Sequence, residues 1–77
     1  MYQPVDADYW LCRCEGFRVD SEHGRLGIVE EVRFGSRLDR PDWLAVRSGL
    51  FARGLRVVPV DEIAAIYPRE GLILLTP

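Results

Sequence analysis

Two cysteines two positions apart, Cys12 and Cys14, are the first residues in this chain whose types and spacing could do chemistry. Thiols hold zinc or exchange disulfides, and in a strand an i, i+2 pair puts both on one face. A bridge between them would be strained, because disulfide geometry restricts how closely the two Cα and Cβ atoms approach. A metal pair needs further ligands, and the only histidine, His23, falls in a predicted turn beside Glu22. There it reads as a solvated group, not as a base. The thiols are therefore expected to be reduced and buried as small apolar side chains, with no metal and no cofactor.

The remaining polar residues assemble no catalytic set. Ser36 and Ser48 have no His–Asp constellation nearby, and Gly49 and Gly54 do not form a phosphate loop, which needs a strand-to-helix transition. Two carboxylate pairs stand out, Glu30-Glu31 and Asp61-Glu62. Adjacent strand residues face opposite ways, so Glu30 and Glu31 converge on a cation only if a bulge reorients them. Asp61 reads as the cap of a single turn. The expectation is a protein that is not an enzyme. What is left is recognition chemistry: Trp43 and Phe51, with Arg47 and Arg53 close in sequence, have the composition of an interface hot spot.

The elements that would position these residues are strands. Short apolar runs separated by Gly, Pro, Asp and Ser recur along the chain, and helical periodicity is hard to find. Tyr9 to Val19 reads as one long strand bent at Gly16, followed by a turn over Asp20 to Gly24. In the second run Leu26, Ile28, Val32 and Phe34 share one parity and are expected on the apolar face. Glu30 falls on that face as well, where a buried carboxylate is costly, so a bulge near Val29 to Glu31 is expected to turn it outward.

Gly35 to Asp42 is a polar loop ending at Pro41 and Asp42. Trp43 to Arg47 is a third strand with Leu44 and Val46 inside and Trp43 partly exposed. Leu55 to Val60 follows a Gly-flanked connection over Ser48 to Gly54, with Pro59 at an edge or end because proline donates nothing to a ladder. Ala64 to Tyr67 and Leu72 to Thr76 then flank Pro68-Arg69-Glu70-Gly71 as a closing hairpin. The run Leu72 to Leu75 is apolar on both parities and needs cover on both faces, which dimer formation could supply.

Composition sets the limits on this reading. The chain has 77 residues, 48% apolar and 29% charged, which allows one globular domain with one modest core. Stability on the order of 4–12 kcal/mol is expected for that length. Residues 1–8 read as an N-terminal extension and 9–77 as the domain. The first eight residues carry two acids and no basic run, unlike a secretory leader, and no stretch has the roughly 20 apolar residues of a membrane span. A cytoplasmic protein is expected. All ten basic residues are Arg, against twelve acidic ones, for a net charge of -2. Nucleic-acid binding is left without support, since phosphate neutralisation needs clustered positive charge. Five or six short strands with tight links favour an all-β fold, a small closed or partly open barrel of about six short antiparallel strands.

In order and spacing, three stretches resemble the PRC-barrel family. They are Gly24 to Val32 as a turn and following strand, Trp43 to Phe51 as the next strand with its Gly-containing connection, and Arg56 to Ile63 as a strand ending in Val-Pro and a short turn. With the final hairpin the resemblance covers about Cys14 to Leu75; Trp10 to Arg13 has no counterpart in it. It implies a compact six-stranded barrel, a tendency to bind proteins, and no catalytic residue to carry over. The chain is thus expected to be a non-catalytic protein-interaction module that self-associates or docks on a larger assembly. Because the family includes a small-subunit ribosome maturation factor, an RNA-associated accessory role is the alternative.

Overall fold

The computed structural model describes residues 7–48 and 54–77. A short helix α1 (Ala7–Leu11) is followed by strands β1 (Arg18–Ser21), β2 (Gly24–Arg33), β3 (Trp43–Arg47) and β4 (Leu55–Pro59). A single 3-10 turn over Val60–Glu62 leads into β5 (Ile63–Tyr67) and β6 (Leu72–Leu75). All six strands belong to one sheet in the order β4-β3-β2-β1-β6-β5. The fold is therefore all-β and barrel-like, and the sheet is not closed: β4 and β5 are its two ends.

Neighbours pair antiparallel with one exception. β1 and β6 run parallel, Arg18 facing Leu72 and Val19 facing Ile73, which corrects the expectation of an antiparallel set throughout. A parallel pair needs a crossover, and here the crossover is the whole of β2 to β5.

The first predicted strand is the largest departure. Tyr9 to Leu11 lie in α1, and the chain turns twice before β1 begins at Arg18. Aromatic and cysteine content suggested a strand, yet the local bonds are those of a helix end. Cys12 N–H donates to Asp8 O at 3.2 Å and Arg13 N–H to Trp10 O at 2.9 Å. Arg13 also donates to Tyr9 O and stacks on the Tyr9 ring at 3.9 Å. Gly16, at φ 91°, makes the reversal that L side chains rarely adopt, and Phe17 N–H then closes a turn on Cys14 O. With no strand there, Cys12 and Cys14 do not share a face: Cys14 is buried and Cys12 half-buried, both as free thiols.

The core is formed by Leu11 and Cys14 from the N-terminal turn region together with Val19, Val29, Leu44, Val46, Val58, Val60, Ile66 and Ile73. Trp10 and Phe17 pack against it. On β2 the inward side chain is Val29, whereas Ile28 is exposed, so the parity expected to face inward is reversed at that point. The expected bulge exists: the β2–β3 register shifts between Val29 and Glu31, and Glu30 points to solvent. Gly27 lies where a Cβ would stand 2.3 Å from the backbone oxygen of Arg47, so β2 crosses β3 there without room for a side chain.

The 3-10 turn has no side-chain cap, which removes the capping role expected of Asp61. Its N-cap is Pro59 in an extended conformation, and Asp61 is exposed. The closing hairpin forms as expected, with Ile73 fully buried and Leu72, Leu74 and Leu75 half-buried between β1 and β5.

Candidate protein-interaction surface

Cross-strand register decides which side chains share a face of β2, β3 and β4. Ile28, Arg47 and Leu55 form one row; Glu31, Ala45 and Val57 form the next; Arg33, Trp43 and Pro59 form the third. Facing residues in a ladder project to the same side, so these rows make up the outer face, and Val29, Val32, Leu44, Val46 and Val58 lie on the inner one. The outer face carries large apolar side chains in the open: Ile28 is 41% exposed, Trp43 40%, Leu55 43% and Val57 49%. Ala45, in the middle row, is fully buried.

Charges are interleaved with these groups in pairs. Arg47 donates to Glu30 across the bulge, and Arg33 Nε donates to Glu31 Oε2 at 2.8 Å. The hydrogen bond from Arg47 holds the Glu30 carboxyl below its ordinary range and raises the Arg47 guanidinium in return. Thus the bulge turns Glu30 out of the core and also points it at Arg47.

Of the four residues expected to form an interface, Trp43 and Arg47 lie on this face, separated by Ala45 along β3. Phe51 and Arg53 lie outside the described residues. Sequence reasoning missed Ile28, Leu55 and Val57. The signal available for the last two was Pro59, which marks an edge strand, and an edge strand is covered less than its neighbours on both faces.

The other candidate groups are dispersed. His23 is exposed in the β1–β2 turn, its Nε2 3.4 Å from Glu22. Cys14 lies in the core, where burial pushes its thiol up from 9.0 to about 11, the direction of an unreactive group. Cys12 points its thiol at Asp39 O, 3.5 Å away. Ser36 donates both its N–H and its hydroxyl to Asp42, which ties off the β2–β3 loop. Among the described residues no three His, Cys, Asp or Glu side chains gather as a metal site. An open groove of about 320 Å3 runs between α1, Arg40, the 3-10 turn and β5, with Asp8, Asp61 and Ala64 on its walls. No described helix is long and apolar enough to cross a membrane.

A single open six-stranded sheet curled round one core, with a short turn linking β4 to β5, is a PRC-barrel-like fold. The chain is similar in structure to a Pseudomonas aeruginosa protein assigned as the 16S ribosomal RNA processing protein RimM, with a TM-score of 0.67 at 15% sequence identity. The match covers 100% of this chain and 48% of that one, so this chain spans about half the length of its structural neighbour. At that identity the likeness concerns the fold alone. No protein-family model matches the chain, and no curated protein sequence matches it either.

Proposed function

We propose that this chain is a non-catalytic protein-interaction module that docks on a larger assembly, or on a second copy of itself, through the outer face of β2, β3 and β4. The observation that carries the reading is the placement of Ile28, Trp43, Leu55 and Val57 on one exposed face, bordered by the Arg47–Glu30 and Arg33–Glu31 pairs. Apolar area removed from water contributes about 25 cal/mol per Å2, and aromatic and Arg side chains dominate interface hot spots. Trp43 and Arg47 are the expected anchors. A cytoplasmic setting is part of the proposal.

Sedimentation at micromolar concentration, with crosslinking and mass spectrometry of the tagged chain in its host, tests it. Association weakened by Trp43→Ala is expected. A strict monomer with no protein crosslinks contradicts the proposal.

One observation favours a second reading, an accessory role on ribosomal RNA: the structural neighbour is assigned to 16S ribosomal RNA processing. Charge weighs against it. Arg33, Arg37, Arg40 and Arg47 each lie within 4 Å of a carboxylate, so their charge is largely compensated locally. Co-sedimentation with ribosomal particles that declines as salt rises is its expected signature, and no association at low salt removes it.

A further inference from the structure

Among the described residues, the end strand β4 has backbone groups without a strand partner on the same residues that expose their side chains. Trp43 faces Pro59, and the N–H of Val60 donates to Asp42 O at 3.0 Å. A bond between the residues flanking a facing antiparallel pair marks that pair as the non-hydrogen-bonded kind. Alternation along the ladder then makes Leu44–Val58 and Val46–Arg56 the hydrogen-bonded pairs, and Ala45–Val57 and Arg47–Leu55 the others. The N–H and C=O of Leu55 and of Val57 therefore point away from β3, toward the free edge. Pro59 adds a carbonyl there and no N–H. Leu55, Arg56 and Val57 are exposed in succession, which for alternating residues means that both faces of the edge are open.

Resting on the outer face as the docking surface, we propose that β4 accepts an extended strand from a protein partner, with apolar residues opposite Leu55 and Val57 and an acidic residue opposite Arg56. The backbone groups of Leu55 and Val57 form the new ladder, and apolar side chains paired with them extend the patch of Trp43 and Ile28. Arg56 has no ion pair among the described residues. In the added ladder it occupies a non-hydrogen-bonded position, where facing side chains come closest, so a carboxylate is favoured and a cation opposed.

The same reasoning disfavours a second copy of β4 in the registers centred on Arg56 and on Val57. An antiparallel two-fold about Arg56 sets Arg56 against its own copy at the closest pair. A two-fold about Val57 sets Leu55 against Pro59, which has no N–H to give. An acidic-centred strand meets neither obstacle.

The test uses the full chain and a short synthetic peptide with valines at alternate positions around a central glutamate, followed by amide NMR and hydrogen exchange. On saturation the Leu55 and Val57 amides are expected to exchange at least about tenfold more slowly. A peptide with lysine in place of the glutamate is expected to bind at least about tenfold more weakly. Val57→Pro removes an edge donor without removing a β3 bond; it should keep the thermal midpoint and lose the peptide.

Equal binding of the two peptides, or no protection of Leu55 and Val57, overturns the proposal. If those amides stay unprotected while Trp43→Ala still abolishes partner crosslinks, the edge fails and the docking face stands; if neither responds, both fail. Protection that appears without peptide and grows with protein concentration assigns the edge to a second copy, and overturns the acidic strand.

Discussion

The two faces of β2, β3 and β4 are built from the same residue types with opposite fates. Inward, Val29, Leu44, Val46 and Val58 are at most 2% exposed; outward, Ile28, Trp43, Leu55 and Val57 are all at least 40% exposed. An antiparallel sheet with one wet face ordinarily alternates apolar with polar. Here the wet face keeps its apolar groups and separates them with Arg–Glu pairs. Burial on one face is provided by the core of this chain; under the proposed docking role, a partner covers the other.

The comparison breaks first, and with the largest effect, at Leu44. Leu44→Ala leaves a cavity in a fully packed site and should lower unfolding free energy by about 2–5 kcal/mol, read from denaturant midpoints. In a domain of this size that is a large share of the total. Gly27→Ala is next: its methyl would meet the Arg47 backbone, and backbone yields less readily than a flexible side chain. A loss of about 1–3 kcal/mol is expected, with amide shifts spreading across the β2–β3 crossing.

Trp43→Ala sharpens the contrast from the other side. It should cost about 1–3 kcal/mol, less than full burial of a Trp would imply because 40% of the residue is already exposed, and should weaken partner binding far more than Leu44→Ala does relative to its effect on folding.

Smaller effects follow from protonation. Cys14 holds its proton more tightly when folded, at about 11 against 9.0. Stability from this group is therefore complete below pH 9 and declines as pH rises through about 11. Chemical denaturation along that range shows the decline, and Cys14→Ala should lack it. A thiol-specific reagent should modify Cys12 before unfolding and Cys14 only with it. The smallest effect belongs to Glu30, whose carboxyl is held low by the hydrogen bond from Arg47. Arg47→Ala should raise the Glu30 midpoint in an NMR titration while leaving the thermal midpoint nearly unchanged, as expected for an exposed pair.

How far these two faces were legible in the sequence depended on whether a local conflict pointed to the answer. Glu30 on an apolar parity demanded a bulge, and the register shift lies there. Trp43 to Arg47 alternated cleanly, with Leu44 and Val46 inside, and that strand appears at its expected bounds. β2 did not announce its inner face, because Leu26, Ile28, Val29 and Val32 supply apolar residues to both parities. The bulge then changes parity midway, and only the ladder with β3 places Val29 inside and Ile28 outside.

The N-terminal segment was misread for a different reason. Tyr9, Trp10 and Cys12 suit a strand by propensity, but five residues of helix are held in place by tertiary burial of Leu11 and by the Arg13–Tyr9 stack. Likewise, no local pattern reports that β1 and β6 lie side by side in parallel. Composition marked Trp43 and Arg47 as candidate interface residues, and both lie on the outer face; the exposure of Leu55 and Val57 follows from the position of β4 at the end of the sheet, to which Pro59 was the sequence's one pointer.

Site-specific photo-crosslinking in the host organism tests the docking face most directly, with a photoreactive phenylalanine analogue replacing Trp43 in one strain and Tyr67, exposed on the opposite end strand, in another. The account predicts a discrete protein adduct from position 43 and little or none from position 67. Equal adducts from both positions, or none from position 43, would contradict it.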